Sequence, residues 1–330
     1  MALEPLWSAL RADRSEADGW LYRRVPGSLP CPTYAALKFP EMRPALLFEV
    51  APADIPRDTV FPASHGFRLE SENNALGHEG NFMLSLSSTA AEHDALFCLL
   101  SEDVIDVLVG VGRHEAMEKL QERLRLWQEF ARRHADGLSH EAQEGLFAEL
   151  TCLLHLFEAM DHGHAVSAWV GGMRALHDFS LVRAELEVKA SFDGSAFTVS
   201  SLDQLASGGS GSLLVAHYTL RNDPAGRSIV DLVSTVRGRL IDAKSETRRT
   251  FEDRLLHYGY AAHHVTKYAS EAWLIAAERV FLVSEGFPRL TRASIPAGIR
   301  DASYRVDLAA CRQYELGWDE LVMILQGGYD

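Results

Sequence analysis

The stretch "HDFSLVRAELEVKASF", residues 177–192, restricts this chain more than any other. In "AELEVKA" a strand alternates its side chains, so Glu185, Glu187 and Lys189 share one face and Leu186 and Val188 the other. A two-residue step leaves Glu187 and Lys189 roughly 6–7 Å apart at the backbone, near enough to serve one small ligand. Asp178 lies on a preceding strand and comes opposite Glu187 if the intervening "SLVRA" turns the chain. Two carboxylates converging at a strand rim suit a hard divalent cation, and Mg²⁺ takes one or two carboxylates together with phosphate and water. A lysine beside them orients or helps to deprotonate an attacking water and neutralises charge developing on a phosphate. The plainer reading of the same residues is an amphipathic edge strand with a salt-bridged rim.

The surrounding periodicity supplies a frame for this strand. Residues 141–160, "EAQEGLFAELTCLLHLFEAM", predict a helix whose buried stripe is Leu146, Leu150, Leu153 and Phe157. Glu149 stands at the margin of that stripe, where a carboxylate can point toward a sheet. Strands are expected near 173–179, 184–191 and 196–200, a flexible loop at "ASGGSGS" (206–212), a buried strand at 213–220 and helices near 228–240 and 248–258. Gln204, in "VSSLDQLA", follows the third of these strands, where an amide can orient a water or hold a backbone group. This order predicts an α/β (α+β) layer, a mixed sheet covered by helices.

The first hundred residues read as β-rich. "NFMLSLSS" sets Phe82, Leu84 and Leu86 against polar neighbours, and the prolines between 26 and 62 exclude long helices before it. Helices are expected at 92–108 and at about 114–134, the latter with Met117, Leu120, Leu124, Trp127 and Ala131 on one face. A glycine stop in "ADGLSH" places a soft boundary there. We therefore expect a β-rich region over 1–135, ending in helices and suited to recognition or docking, and a second domain over 136–330.

Composition narrows the function classes. With 330 residues, 47% hydrophobic and 24% charged, a sizeable core can form. The start of the chain carries acids among its apolar positions and resembles no signal peptide, and no window has eighteen uninterrupted apolar residues. No membrane association is expected. Four scattered cysteines without a CxxC pair fit free thiols in a reducing cytoplasm. A net charge of −14 counts against a surface coated in non-specific nucleic-acid contacts, though a local basic groove remains open. The basic excess in 221–250 reads as a solvated helical face. The histidines of "HGH" and "HYGYAAHH" lack zinc-like spacing and read as surface or capping residues. "SGGSGS" has no strand–loop–helix frame and no trailing Lys-Ser/Thr, so it is no P-loop.

Taken together, Glu149, Asp178, Glu187, Lys189 and Gln204 resemble the PD-(D/E)XK nuclease superfamily, whose core runs helix with an acid, strand with an aspartate, strand with (D/E)xK, then a helix often carrying a glutamine. Within it the chain resembles the bacterial PD-(D/E)XK family DUF4420. "GLFAELTCL", Trp169 followed by "HDFSLVRAELEVK", "VSSLDQL" and "EGFPRLTRASIPAGI…YRVDL" look like that family's blocks in that family's order, over about residues 65–315. His177 stands where the superfamily's name places a proline. The resemblance implies a restriction-endonuclease-like fold and a Mg²⁺-dependent DNA endonuclease, with Mn²⁺ able to substitute. It also implies a setting among restriction or phage-defence proteins. In it Asp178, Glu187 and Glu149 would hold metal, Lys189 would position the water and Gln204 would orient. Two alternatives compete with it: a catalytically silent subunit that binds DNA or a defence protein, and a plain structural protein with a salt-bridged strand. Double-strand cutting would require a homodimer or paired sites, and the residues signal neither.

Overall fold

In the computed structural model the chain is described over residues 2–13, 19–54, 64, 66–72, 82–134, 136–173, 175–206 and 211–326. It divides into two compact units, Met1–Asp136 and Gly137–Asp330.

The first unit begins with helix α1 (Glu4–Ala12) and continues with strands β1 (Trp20–Arg24), β2 (Thr33–Lys38), β3 (Arg43–Val50), β4 (Phe67–Glu72) and β5 (Phe82–Ser88). They form one antiparallel sheet in the order β1-β2-β3-β5-β4. Helices α2 (Asp94–Leu108) and α3 (Arg113–His134) follow it. The clean alternation expected of "NFMLSLSS" does not hold. Phe82 is exposed, while Met83 and Ser85 are as buried as Leu84 and Leu86. The reason is position: β5 is paired on both sides, and Met83 joins Ala36, Ala45 and Leu47 in a small cluster on the second face of the sheet.

The second unit opens with helices α4 (His140–Ala159) and α5 (His162–Ala168), then strands β6 (Phe179–Ser180), β7 (Ala184–Ser191), β8 (Ala196–Val199) and β9 (Ser212–Arg227). Helices α6 (Ile229–Arg239), α7 (Ser245–Tyr258) and α8 (Val265–Tyr268), strands β10 (Trp273–Leu282), β11 (Tyr304–Asp307) and β12 (Glu315–Leu316), and helix α9 (Trp318–Gln326) complete it. The main sheet runs β12-β10-β9-β7-β6, with β7 and β9 parallel and every other pair antiparallel. This is the mixed, helix-covered α+β sheet that the sequence predicts.

Each face of that sheet has its own core. Leu186 and Val188 of β7 and Leu214, Ala216 and Tyr218 of β9 pack with Leu146, Leu150 and Leu153 of α4. On the other face Leu213 and Val215 pack with Phe197 and Val199 of β8 and Val306 of β11, which pair as a two-stranded ribbon. Helix α4 starts where Ser139, its N-cap, accepts a hydrogen bond from the Ala142 amide. The charges of α6 and α7 are partly spent on neighbours: Arg237 pairs with Glu252 at 2.8 Å, and Arg239 pairs with Glu158. Of the expected Gly/Ser loop, residues 207–210 lie outside the described residues.

Candidate active site

Strand β7 carries the site because its two neighbours treat its two faces differently. In the parallel register Glu187 stands beside Val215 and Lys189 beside His217. The face bearing Leu186 and Val188 is sealed by α4, so the charged face turns the other way, toward the loop between β8 and β9. There Glu187 is 2% exposed. Its Oε1 accepts from Lys189 Nζ at 2.8 Å and from Gln204 Nε2 at 2.6 Å. Lys189 Nζ also donates to Gln204 Oε1 at 3.2 Å, and the Ser200 amide donates to the same oxygen at 2.8 Å. Two obligate donors thus identify the amide oxygen of Gln204 and leave its NH₂ group for Glu187. The other oxygen of Glu187, Oε2, is buried and has no hydrogen-bond partner.

Gln204 is positioned by its neighbours in the chain. It occupies a turn rather than a helix, between Leu202 and Leu205, both fully buried. The Leu202 amide donates to Asp301 Oδ1 at 3.0 Å, and Arg292 grips Asp203 from the same C-terminal segment.

Asp178 does not lie on a strand. The strand expected at 173–179 shrinks to Phe179–Ser180, and Asp178 occupies the bend just before it. Residues 171–173 form a turn that folds this segment back. The Asp178 carbonyl accepts the amides of Val170 and Gly171, at 2.8 and 3.0 Å, and Trp169 makes a β-bridge to Phe179. The side chain is thereby aimed at β7, where Oδ2 accepts the Val188 amide at 2.8 Å, between Glu187 and Lys189.

Glu149 is more deeply placed than the margin position expected of it. It is 5% exposed on α4, and both oxygens are engaged: Oε2 accepts from Trp169 Nε1 at 2.7 Å and Oε1 from the Tyr258 hydroxyl at 2.9 Å. Two glycines make this possible. A Cβ on Gly171 would stand 2.0 Å from Glu149 Oε2, and one on Gly145, a helical turn before Glu149, would stand 2.8 Å from the Tyr258 hydroxyl. Sequence reading missed Tyr258 altogether and took Trp169 only as part of a family block. A separation of 109 residues between Tyr258 and Glu149 leaves no local pattern to read.

The electrostatics join these residues into one group. Burial, then the negative charge of Asp178, holds Glu149 well above the ordinary carboxylate range. Burial raises Asp178 as well, opposed by the Val188 amide and Lys189. Burial and then Asp178 push Glu187 up to about 8, against the pull of Lys189. Three acids, Glu149 and Glu187 buried and Asp178 half-buried, share one field with Lys189, an arrangement that favours a proton or a cation among them. Beside Lys189, His217 bonds Ser191 Oγ through Nε2 at 2.9 Å, and burial lowers it to about 4, so it is neutral at pH 7.

These residues fit a divalent cation. Oxygen donors suit Mg²⁺, and the buried, unpartnered Glu187 Oε2 is the kind of atom a cation would satisfy. Among the described residues no three His, Cys, Asp or Glu side chains stand close enough to enclose an ion by themselves. An ion here would therefore take its remaining ligands from water and phosphate. His177 is packed: Nε2 meets the Gln204 carbonyl at 3.0 Å, and Nδ1 lies 3.7 Å from Glu185 Oε2.

The family described as "Putative PD-(D/E)XK family member" (DUF4420) matches residues 3–309. The chain belongs to the DUF4420 family. No curated protein and no solved structure matches it. The DUF4420 match begins well before the blocks that carry the resemblance in sequence and takes in the first unit as well as the second. Membership of a PD-(D/E)XK family accounts for the order of acid-bearing helix, aspartate, acid–x–lysine strand and glutamine around one sheet. Among the described residues of this DUF4420 chain no helix is long and apolar enough to cross a membrane.

Proposed function

We propose that the chain is a metal-dependent DNA endonuclease that hydrolyses phosphodiester bonds. The observation that carries this reading is the Glu187–Lys189–Gln204 arrangement, in which one carboxylate oxygen is saturated and the other is buried without a partner. Asp178 and Glu187 would hold Mg²⁺ or Mn²⁺, and Glu149, its oxygens held by Trp169 and Tyr258, would add negative charge that favours the ion. The bound ion would supply Lewis-acid polarisation of the phosphate.

The chain's own residues would do the rest. An ammonium has three N–H donors, and Lys189 spends two on Glu187 and Gln204. The third is available to an attacking water or a phosphate oxygen, on which negative charge grows in the transition state. Gln204 holds both partners in register, so the lysine does not have to be ordered when substrate arrives. Trp169 and Tyr258 fix the rotamer of Glu149 without touching the reacting atoms. The first unit would serve substrate recognition or partner docking.

The test is nicking of supercoiled plasmid in Mg²⁺ or Mn²⁺. We expect Lys189→Ala and Asp178→Asn each to slow cutting by about a hundredfold or more. Wild type that cuts no faster than these variants on duplex, single-stranded and modified DNA would end the catalytic reading. DNA retention without cutting would then leave a binding subunit. A role in restriction or phage defence rests on the family resemblance. Phage plating on cells expressing wild type or Lys189→Ala measures it, and equal plating removes it.

A further inference from the structure

Beside the acids, where β6 turns into β7, lies a cavity of about 470 Å³ that the proposed cleavage chemistry does not use. Leu176, Leu181 and Val182 are among its walls, and Ser180, Glu185 and His177 among its polar groups. Leu176 is 50% exposed and Val182 wholly exposed. Single exposed aliphatics are ordinary, but these two line one concavity together with His177, Ser180, Arg183 and Glu185, a mixture of apolar and polar groups usual in a ligand pocket.

Its distance from the acids is set by the strand. Glu185 and Glu187 are two residues apart on one face of β7, about 6.6 Å by strand rise, which is about one nucleotide step along a DNA strand. His177 adjoins Asp178 in the chain. An occupant of the cavity therefore sits within one or two nucleotides of a phosphate held at Asp178 and Glu187.

We propose that this cavity receives one unstacked base of the DNA and that Glu185 reads its N–H edge; the proposal rests on the nuclease reading above. The aliphatic walls would take the faces of the ring. The polar lining sets the Glu185 carboxylate, an acceptor, with the exposed guanidinium of Arg183, a donor that suits a ring carbonyl. Glu185 presents carboxylate oxygens, and its Oε1 already accepts a hydrogen bond from Ser180 Oγ at 3.0 Å. The Gln204 carbonyl can only accept, so His177 Nε2 carries the hydrogen and donates there, which fixes the ring at the cavity wall. Such an edge favours guanine, which offers N1–H and N2–H₂ side by side, and accepts the amino groups of adenine and cytosine. It disfavours thymine, whose one N–H lies between two carbonyls. Unstacking costs least in single strands, mismatches and damaged sites, so DNA of that class is the expected substrate.

The test uses the full-length chain in Mg²⁺, carrying Lys189→Ala so that DNA stays intact while anisotropy reads binding. The probes are thymine oligonucleotides with one central guanine, one central abasic site, or thymine throughout. We expect the guanine probe to bind about tenfold tighter than the abasic one. Leu176→Trp, at a half-exposed position that folding tolerates, fills the cavity and should erase that difference. Glu185→Gln, which can both donate and accept, should narrow the preference for guanine over thymine. Equal binding of all three probes, no binding, or a guanine preference that survives both substitutions overturns the proposal. Cutting by the wild type is scored separately. A chain that cuts but binds the three probes alike loses only the cavity, and one that captures guanine without cutting loses only the catalysis.

Discussion

At the scale of single residues, the site is built from hydrogen bonds that leave little slack around Glu149. Trp169→Phe removes the donor to Oε2, and Tyr258→Phe the donor to Oε1, each leaving a buried carboxylate oxygen unmatched. Each should cost about 1–3 kcal/mol of stability, read from urea denaturation at constant m. Glu187 makes a prediction in pH. Its folded-state value near 8 lies above the value of an unfolded glutamate, so between about 4.5 and about 8 the folded chain holds a proton that the unfolded chain has lost. Its contribution to stability is complete below that window and is lost as pH rises through it. In EDTA the melting temperature should fall from pH 5 to pH 8, and Glu187→Gln should flatten the fall. Unchanged pH dependence in that variant would show that Glu187 is not the group whose titration causes the fall.

At the scale of elements, α4 illustrates a conflict between helix propensity and site geometry. Gly145 lies inside the helix, where alanine is ordinarily better by about 1 kcal/mol. Here an added Cβ would meet the Tyr258 hydroxyl at 2.8 Å and push it from Glu149. Gly145→Ala should therefore fail to stabilise the chain and should lower cutting, whereas Gly238→Ala on α6, with open space at its Cβ, should gain the ordinary increment. Thermal melts and nicking rates on the two variants decide it. The same elements show what a sequence can carry. Helices α2, α3, α4, α6 and α7 and strands β7 and β9 are legible because their periodicity records which face meets a core. The alternation in "AELEVKA" places the acid and lysine on one face without any structure. The sequence predicts a strand near 173–179 that would carry Asp178, but the pairing that decides strand length is with Trp169 and β7, and pairing partners leave no local trace. Glu149 was drawn too near the surface for a like reason, since its burial comes from Trp169 and Tyr258, remote in sequence.

At the scale of the whole molecule, charge sets the terms of DNA binding. A chain of net charge −14 with three acids grouped at its candidate site repels phosphate until a cation is present. Binding of the Lys189→Ala chain to DNA should be weak in EDTA and rise with Mg²⁺, and Mg²⁺ alone should raise the melting temperature, by an amount equivalent to about 2.7 kcal/mol at a hundred times its dissociation constant. Affinity independent of divalent ion would separate DNA contact from the acid cluster. One last consequence follows from the short strand β6, which is an edge of the main sheet and pairs with β7 only at Leu186 and Glu185. Beyond Leu186, the Val188 amide is capped by the carboxylate of Asp178. The acid is therefore also a stopper that keeps a bare amide from recruiting a strand of another molecule. Asp178→Ala would pull that stopper and invite self-association, whereas Asp178→Asn keeps an oxygen on Val188. Only the asparagine variant can separate lost chemistry from a newly sticky flank.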